Sequence, residues 1–213
     1  MLSGCGVFDG AEIHESVLAL LALDRAGAEV LCMAPDVELD VIDHRTQRPS
    51  GERRSVLVES ARIARGDIRD VADVTADEVD ALVFPGGYGA AKNLCDFAVA
   101  GDRARVEPSV AKLIAGVRRA GKPICAICIA PAMLAAALRD EGTSGSLTVG
   151  NDAATARAIE SMGSRHVACP VEAFHVDQEN RVVTTPAYML AGSIKEAAEG
   201  IEKAIAATLR MAG

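Results

Sequence analysis

The chain has 213 residues, with 22 lysines and arginines against 30 aspartates and glutamates and a formal net charge of −8. That length suits one domain, and with half its residues apolar the chain can build a core without disulfide or metal staples. An acidic chain with no basic tract, two tyrosines, four phenylalanines and no tryptophan offers little to a phosphate backbone or to unpaired bases, so nucleic acid is not an expected partner. No window reaches 18 consecutive uncharged apolar residues, so no membrane span is expected. The first residues lack a basic stretch followed by an apolar one, and six scattered cysteines read as reduced thiols rather than a disulfide framework. A cytoplasmic protein is the expectation.

Residues 1–3 read as a first strand, too short for the centre of a sheet, as if the chain began a few residues late. Residues 11–26 place Ile13, Val17, Leu20 and Leu21 at helical spacing and close at Gly27. A buried strand over 29–34 (EVLCMA) follows, then a polar excursion above the sheet over 35–68 with a Pro49-Ser50-Gly51 turn. Strand 81–84 (ALVF) stops at Pro85-Gly86-Gly87, and helix 107–120 closes at Gly121. Strand 123–127 (PICAI) runs directly into Cys128 and a helix over 129–138. After them come a short strand at 147–149, a helix over 152–162, a hairpin over 172–185 turning at 177–180, and a long last helix over 187–211. Alternating strands and helices, with strands that are apolar throughout, predict one α/β domain over 1–213 built on a mainly parallel sheet. Ligands of such sheets bind beyond the carboxyl ends of the strands.

Cys128 sits at such an end. A strand-to-helix turn projects its side chain above the sheet, and the helix N-terminus is expected to favour the thiolate, the nucleophilic form. A small buried hydrophobe is the plainer role for a free cysteine. Gly86 and Gly87 end the preceding strand, where glycine lets backbone N–H groups approach a ligand oxygen. Glu15 lies among Val17, Leu18 and Ala19, and a carboxyl group in apolar surroundings has a raised pKa suited to proton transfer; a solvated helical glutamate is the alternative. Glu12 reads as a first-turn acid favoured by the helix dipole. Cys125-x-x-Cys128 matches a redox dithiol, and with His166-x-x-Cys169 it has the outline of a zinc site, though Cys125 lies inside an apolar strand. His14, His44 and His175 are lone histidines, read as surface or core residues. Cys5, between Gly4 and Gly6, is a possible redox neighbour of Cys128 or a packing residue.

The segments SGCGVFDGAEIHE, PGGYGAAKNL, CIAPAML and VVTTPAYMLA, in this order, resemble the ElbB (enhancing lycopene biosynthesis) proteins. These form a glyoxalase-like branch of the class I glutamine-amidotransferase-like superfamily that contains the PfpI proteases. The resemblance spans nearly the whole chain. It implies a flavodoxin-like three-layer sandwich, with helices on both faces of the sheet, and a homodimer. It further implies glutathione-independent glyoxalase activity, with a deglycase-like side activity and a loose link to isoprenoid synthesis. Carried over by motif, the nucleophile falls on Cys128, the carboxylate on Glu15, and the oxyanion donors on the backbone of Gly87 and Ile129, with Gly86 and Asn93 as further substrate-binding candidates. Ile129 stands where the protease-like branch has histidine, and no histidine occurs between Cys128 and His166, which argues against a Cys-His-acid hydrolase. The expected chemistry is addition of Cys128 to a small dicarbonyl such as glyoxal or methylglyoxal, with Glu15 moving the proton and no metal or other cofactor. The alternatives are a redox-sensing or partner-binding protein of the same fold, and a glutaminase-like domain, which needs a nearby histidine.

Overall fold

The computed structural model describes residues 1–213 of the chain. An extended N-terminal segment leads into α1 (Ile13–Arg25), β1 (Met33–Ala34), β2 (Glu38–Asp43), β3 (Arg48–Ser55) and α2 (Val56–Ile63). Next come β4 (Arg69–Asp70), β5 (Leu82–Phe84), α3 (Tyr88–Lys92), α4 (Phe97–Ala100), α5 (Pro108–Arg119), β6 (Ile124–Ile127) and α6 (Ala130–Asp140). The chain ends with β7 (Ser146–Leu147), α7 (Ala153–Ser161), β8 (Arg165–His166), β9 (His175–Asp177), β10 (Val182–Thr185) and α8 (Ile194–Ala212).

Strands β5, β6 and β10 lie parallel in that order, and β9 closes the edge antiparallel to β10. The N-terminal segment extends this sheet on the other side. The Met1 ammonium donates to Val83 O at 2.8 Å and Leu2 N–H donates to Met33 O at 2.7 Å, so these residues lie between β5 and the parallel pair β1–β4. Beyond β9, the parallel pair β7–β8 is tied on by side chains: Ser146 N–H donates to Asp177 Oδ2 and Thr148 N–H to Thr184 Oγ1. All four residues of β6 are buried, as its unbroken apolar run requires for a strand covered on both faces.

Strand residues alternate between two cores. Leu82, Phe84, Ile124, Ala126 and Val182 face α5 and α6, while Cys125, Ile127 and Val183 face α1 and α8. Helices therefore cover both faces, and the fold is the expected flavodoxin-like sandwich. Local signals fix the helices: Glu107 caps α5 through Val110 N–H at 2.9 Å, with Pro108 in the first turn where its missing N–H costs nothing. No helix is long and apolar enough to cross a membrane.

Three elements differ from the expectations. The strand at 29–34 pairs only at Met33 and Ala34, because β4 and Leu2 reach it only there; residues 29–32 instead line a groove of about 730 Å³ beside Met1. The polar stretch 35–68 is a hairpin, β2–β3, followed by α2. The exposed β3 hides the period-2 signal; Leu39 of β2 is buried in a small apolar cluster, and exposed cross-strand pairs such as Arg53–Glu38 at 2.8 Å line the outside. The helix at 187–211 starts only at Ile194; before it stand a tight turn at Ala187–Met189, with Ala187 at φ +42°, and the capping Ser193, whose hydroxyl accepts from Glu196 N–H. The hairpin 172–185 is present as β9–β10, and the strand at 147–149 is present as Ser146–Leu147.

Phe84 is fully buried in the larger core at the end of β5. Phe84→Ala is expected to destabilise the protein by about 3–5 kcal/mol, read as a lower urea midpoint at unchanged slope.

Candidate active site

β6 ends at Ile127 and α6 begins at Ala130, so the chain turns across Cys128 and Ile129 alone. Cys128 accordingly takes φ +62°, the left-handed region that a residue with a Cβ enters at a cost of about 1–3 kcal/mol. Its N–H donates to Thr185 O on β10 at 2.9 Å, which pins the turn to the sheet. The side chain that emerges is 7% exposed, at the carboxyl end of the strands.

Glu15 meets it from α1. The carboxylate is wholly buried, and two backbone donors from different loops hold it: Gly86 N–H at 2.9 Å to Oε2 and Tyr188 N–H at 3.1 Å to Oε1. Gly86 has to be glycine because of crowding. A Cβ there would lie 2.4 Å from Cys128 Cβ and 2.7 Å from Glu15 Oε2. Its N–H therefore holds the carboxylate and does not face a substrate oxygen, which corrects the expected role. Gly87, at φ +90°, heads α3 with its N–H directed at the Cys128 sulfur, as is the N–H of Ile129. These are the two N–H groups that the resemblance implied as oxyanion donors, and here both meet the sulfur.

Burial sets the electrostatics. It raises the Glu15 pKa from 4.5 to about 7, against the opposing pull of the Tyr188 N–H. Burial, followed by the Glu15 charge, pushes the Cys128 thiol well above its ordinary value, and the N–H groups of Gly87 and Ile129 offset only part of this. The expected low-pKa thiolate is thus corrected: desolvation and a neighbouring carboxylate outweigh the helix terminus. The resting pair is a neutral thiol beside a carboxylate poised to take its proton.

The sulfur opens into a cavity of about 410 Å³, a size that takes small organic ligands. Gly87, Ile129, Tyr188, Met189, Glu12 and Asp152 are among its walls, and no histidine is. Sequence reasoning missed Tyr188, whose clamping N–H depends on the tight Ala187 turn, and Asp152, read only as a helix start. His14 stands outside, with Nδ1 2.8 Å from Tyr188 Oη. His175 pairs with Ser146 Oγ at 2.6 Å on β9, away from the cavity.

Two candidates fall elsewhere. Asn93 does not line the cavity; its Nδ2 donates to Ser3 O at 2.7 Å and Asp9 O at 2.8 Å, tying the N-terminal loop to α3. Cys5 lies within reach of the charges of Glu59, Arg62 and Asp9 and does not line the cavity into which Cys128 opens. The zinc outline is not assembled, since no three metal-ligating side chains gather anywhere. Cys125 of the dithiol outline is buried against Thr208 of α8 with its pKa pushed up to about 12, and both thiols are free.

The folded-state pKa of Glu15 lies above its unfolded value, so its contribution to stability is greatest below pH 4.5 and is lost as pH rises to about 7. Between pH 5 and pH 8 that loss is roughly 2–3 kcal/mol. Glu15→Gln is expected to remove this component from urea unfolding curves taken at the two pH values. An identical pH dependence in both proteins would count against the buried carboxylate.

Residues 6–185 match the DJ-1/PfpI family. The chain is 46% identical over 224 residues to the human glutamine amidotransferase-like class 1 domain-containing protein 3, mitochondrial, covering all of this chain and 82% of that protein. It is 43% identical over 224 residues to the ES1 protein homolog, mitochondrial, of Rattus norvegicus, covering all of this chain and 83% of that protein. These two relatives overturn the cytoplasmic expectation, since both are mitochondrial proteins. The crystal structure of an isoprenoid biosynthesis protein with an amidotransferase-like domain from Ehrlichia chaffeensis superposes with a TM-score of 0.90 at 38% identity, over 98% of this chain and 96% of that one. By the family match and by these full-length likenesses, the chain belongs to the DJ-1/PfpI family.

Proposed function

We propose that the protein is a cofactor-independent enzyme of the glyoxalase type, converting small dicarbonyls to 2-hydroxy acids. The observation that carries this reading is the buried Glu15 carboxylate, with a pKa of about 7, set against the Cys128 thiol at the floor of a cavity. Glu15 takes the thiol proton as Sγ adds to one aldehyde carbon of glyoxal, and the proton passes to the new hydroxyl of a hemithioacetal. The developing oxyanion is met by the N–H groups of Gly87 and Ile129. Glu15 then removes the C–H proton of that carbon and returns it to the neighbouring carbon through an enediol. A glycolate thioester results, and water hydrolyses it to glycolate with the thiol restored. The sum is glyoxal plus water to glycolate, with no external oxidant or reductant; methylglyoxal gives lactate in the same way.

A redox sensor needs an exposed, low-pKa thiol, and Cys128 is buried with a raised one. A glutaminase needs a histidine beside the nucleophile, and the cavity walls hold none. A homodimer is part of the proposal. On α1, Ile13, Val17 and Leu21 form an outward ridge at i, i+4 and i+8, exposed by 42%, 49% and 38%, an apolar strip suited to a second copy. Val17→Glu is expected to yield a folded monomer in sedimentation equilibrium where the unaltered chain is a dimer; a monomer in both removes this part of the reading.

The deciding assay is glycolate formation from glyoxal without glutathione. Cys128→Ala is expected to abolish turnover above that of free thiols, and Glu15→Gln to lower it by roughly 10²–10⁴-fold. Because the base acts ionised, kcat/KM of the unaltered protein should fall as pH drops through about 7. Full activity in Cys128→Ala sinks the reading.

A further inference from the structure

The walls of the Cys128 cavity carry charge of one sign. Glu12 lies 91% buried in the fold by virtue of its 9% exposure, and its Oε2 accepts the Glu15 N–H at 2.7 Å while Oε1 has no partner in the protein. Across the opening, Asp152 caps α7, its Oδ1 accepting the Thr155 N–H at 2.7 Å. Burial does not neutralise it: the hydrogen bonds from Thr155 hold its carboxyl below the usual range. No lysine, arginine or histidine lines the cavity. Lys92 stands behind the Tyr88 ring, 5.2 Å from its centroid, with Nζ donating to Phe8 O at 3.0 Å. Arg157 on α7 is not among the walls, though its charge adds to the stabilisation of the ionised Asp152. The remaining walls, such as Val7, Phe97, Ala98 and Met189, are uncharged, so the two carboxylates set the sign of the charge that lines the cavity.

We propose that Glu12 and Asp152 make this cavity select its substrates by charge, admitting neutral and cationic carbonyl compounds and rejecting those that carry a carboxylate or phosphate. The proposal deepens the reading of Cys128 as a nucleophile and rests on it. Glyoxal and methylglyoxal pass; their oxidised relatives, the 2-oxo acids, do not. A product 2-hydroxy acid ionises as the thioester is hydrolysed, so the same two carboxylates that admit the neutral substrate expel the anionic product. An amine-bearing carbonyl compound would be drawn in, its ammonium meeting Glu12 Oε1. Both residues are specificity determinants, since neither touches the reacting sulfur.

The test reads the sulfur directly and needs no turnover. Three methanethiosulfonates of similar size are used: 2-aminoethyl (cationic), methyl (neutral) and 2-sulfonatoethyl (anionic). Each transfers its alkylthio group to Cys128 as a mixed disulfide and releases methanesulfinate, with the thiol proton going to solvent. Labelling of the Cys128 peptide is followed by mass spectrometry at pH 7.5, with every rate divided by that of the same reagent on 2-mercaptoethanol. The cation-to-anion ratio at Cys128 is expected to exceed that of the free thiol by roughly tenfold, as carboxylates lining a confined site produce. It should shrink as salt is raised, and fall in the Glu12→Gln/Asp152→Asn double variant to a remainder set by Glu15, which stays beside the sulfur. Both replacements keep an acceptor oxygen for the N–H they cap. If the double variant does not fold, Asp152→Asn alone should lower the ratio part of the way. A ratio equal to that of the free thiol, a ratio untouched by the variants and by salt, or no labelling by any reagent overturns the proposal. A high ratio that the variants lower, in a protein that leaves glyoxal unchanged, upholds charge selection and defeats the glyoxalase reading alone.

Discussion

One buried negative charge organises the molecule. Glu15 has no cation near it; two backbone N–H groups, from the loop after β5 and the turn after β10, provide its solvation. An unpaired buried carboxylate costs several kcal/mol, so those two loops are not free to vary independently of α1. The loop after β5 must carry glycine at position 86, because Glu15 and Cys128 both crowd the place where a side chain would be. The turn after β10 must deliver the Tyr188 N–H, and Ala187 enters the left-handed region to do so. The last helix can begin only after that turn is complete.

The same charge governs the sulfur. A thiol at a helix N-terminus would ordinarily be expected to ionise readily. Here the sulfur is buried beside a carboxyl group, and both burial and the carboxylate charge favour the neutral thiol. A thiol held neutral in this way needs a proton acceptor at contact distance to form its thiolate, and Glu15 is the group placed there. Loss of acidity at the sulfur is the counterpart of gain in basicity at the carboxylate, since one burial causes both.

What could be read from sequence follows from how local each signal is. The run PICAI followed by a cysteine and an alanine-rich helix specifies β6, the elbow and α6 within sixteen residues, and all three are where expected. The placement of Glu15 among apolar residues of α1 was legible for the same reason. Tyr188 was not, because PAYMLA continues the apolar spacing of a helix and only the tertiary demand of Glu15, 173 residues away in sequence, breaks it. Asn93 misled in the opposite direction: an amide beside a glycine-rich loop suggests a ligand, yet its partners are Ser3 O and Asp9 O, up to 90 residues distant. The β2–β3 ribbon escaped because β3 is exposed almost throughout and shows no alternation, and in β2 only Leu39 is fully buried, too little to stand out as a period-2 pattern.

The backbone at Cys128 also bears on how the protein changes over generations. At φ +62° glycine and asparagine are at ease and a cysteine is not, so mutation at this position is met by a stability gradient that leads away from sulfur. Drift without purifying selection would slide down that gradient within a modest number of substitutions. A chain that keeps cysteine there keeps it against that gradient, and a descendant with glycine at 128 would exchange the sulfur for a relaxed turn.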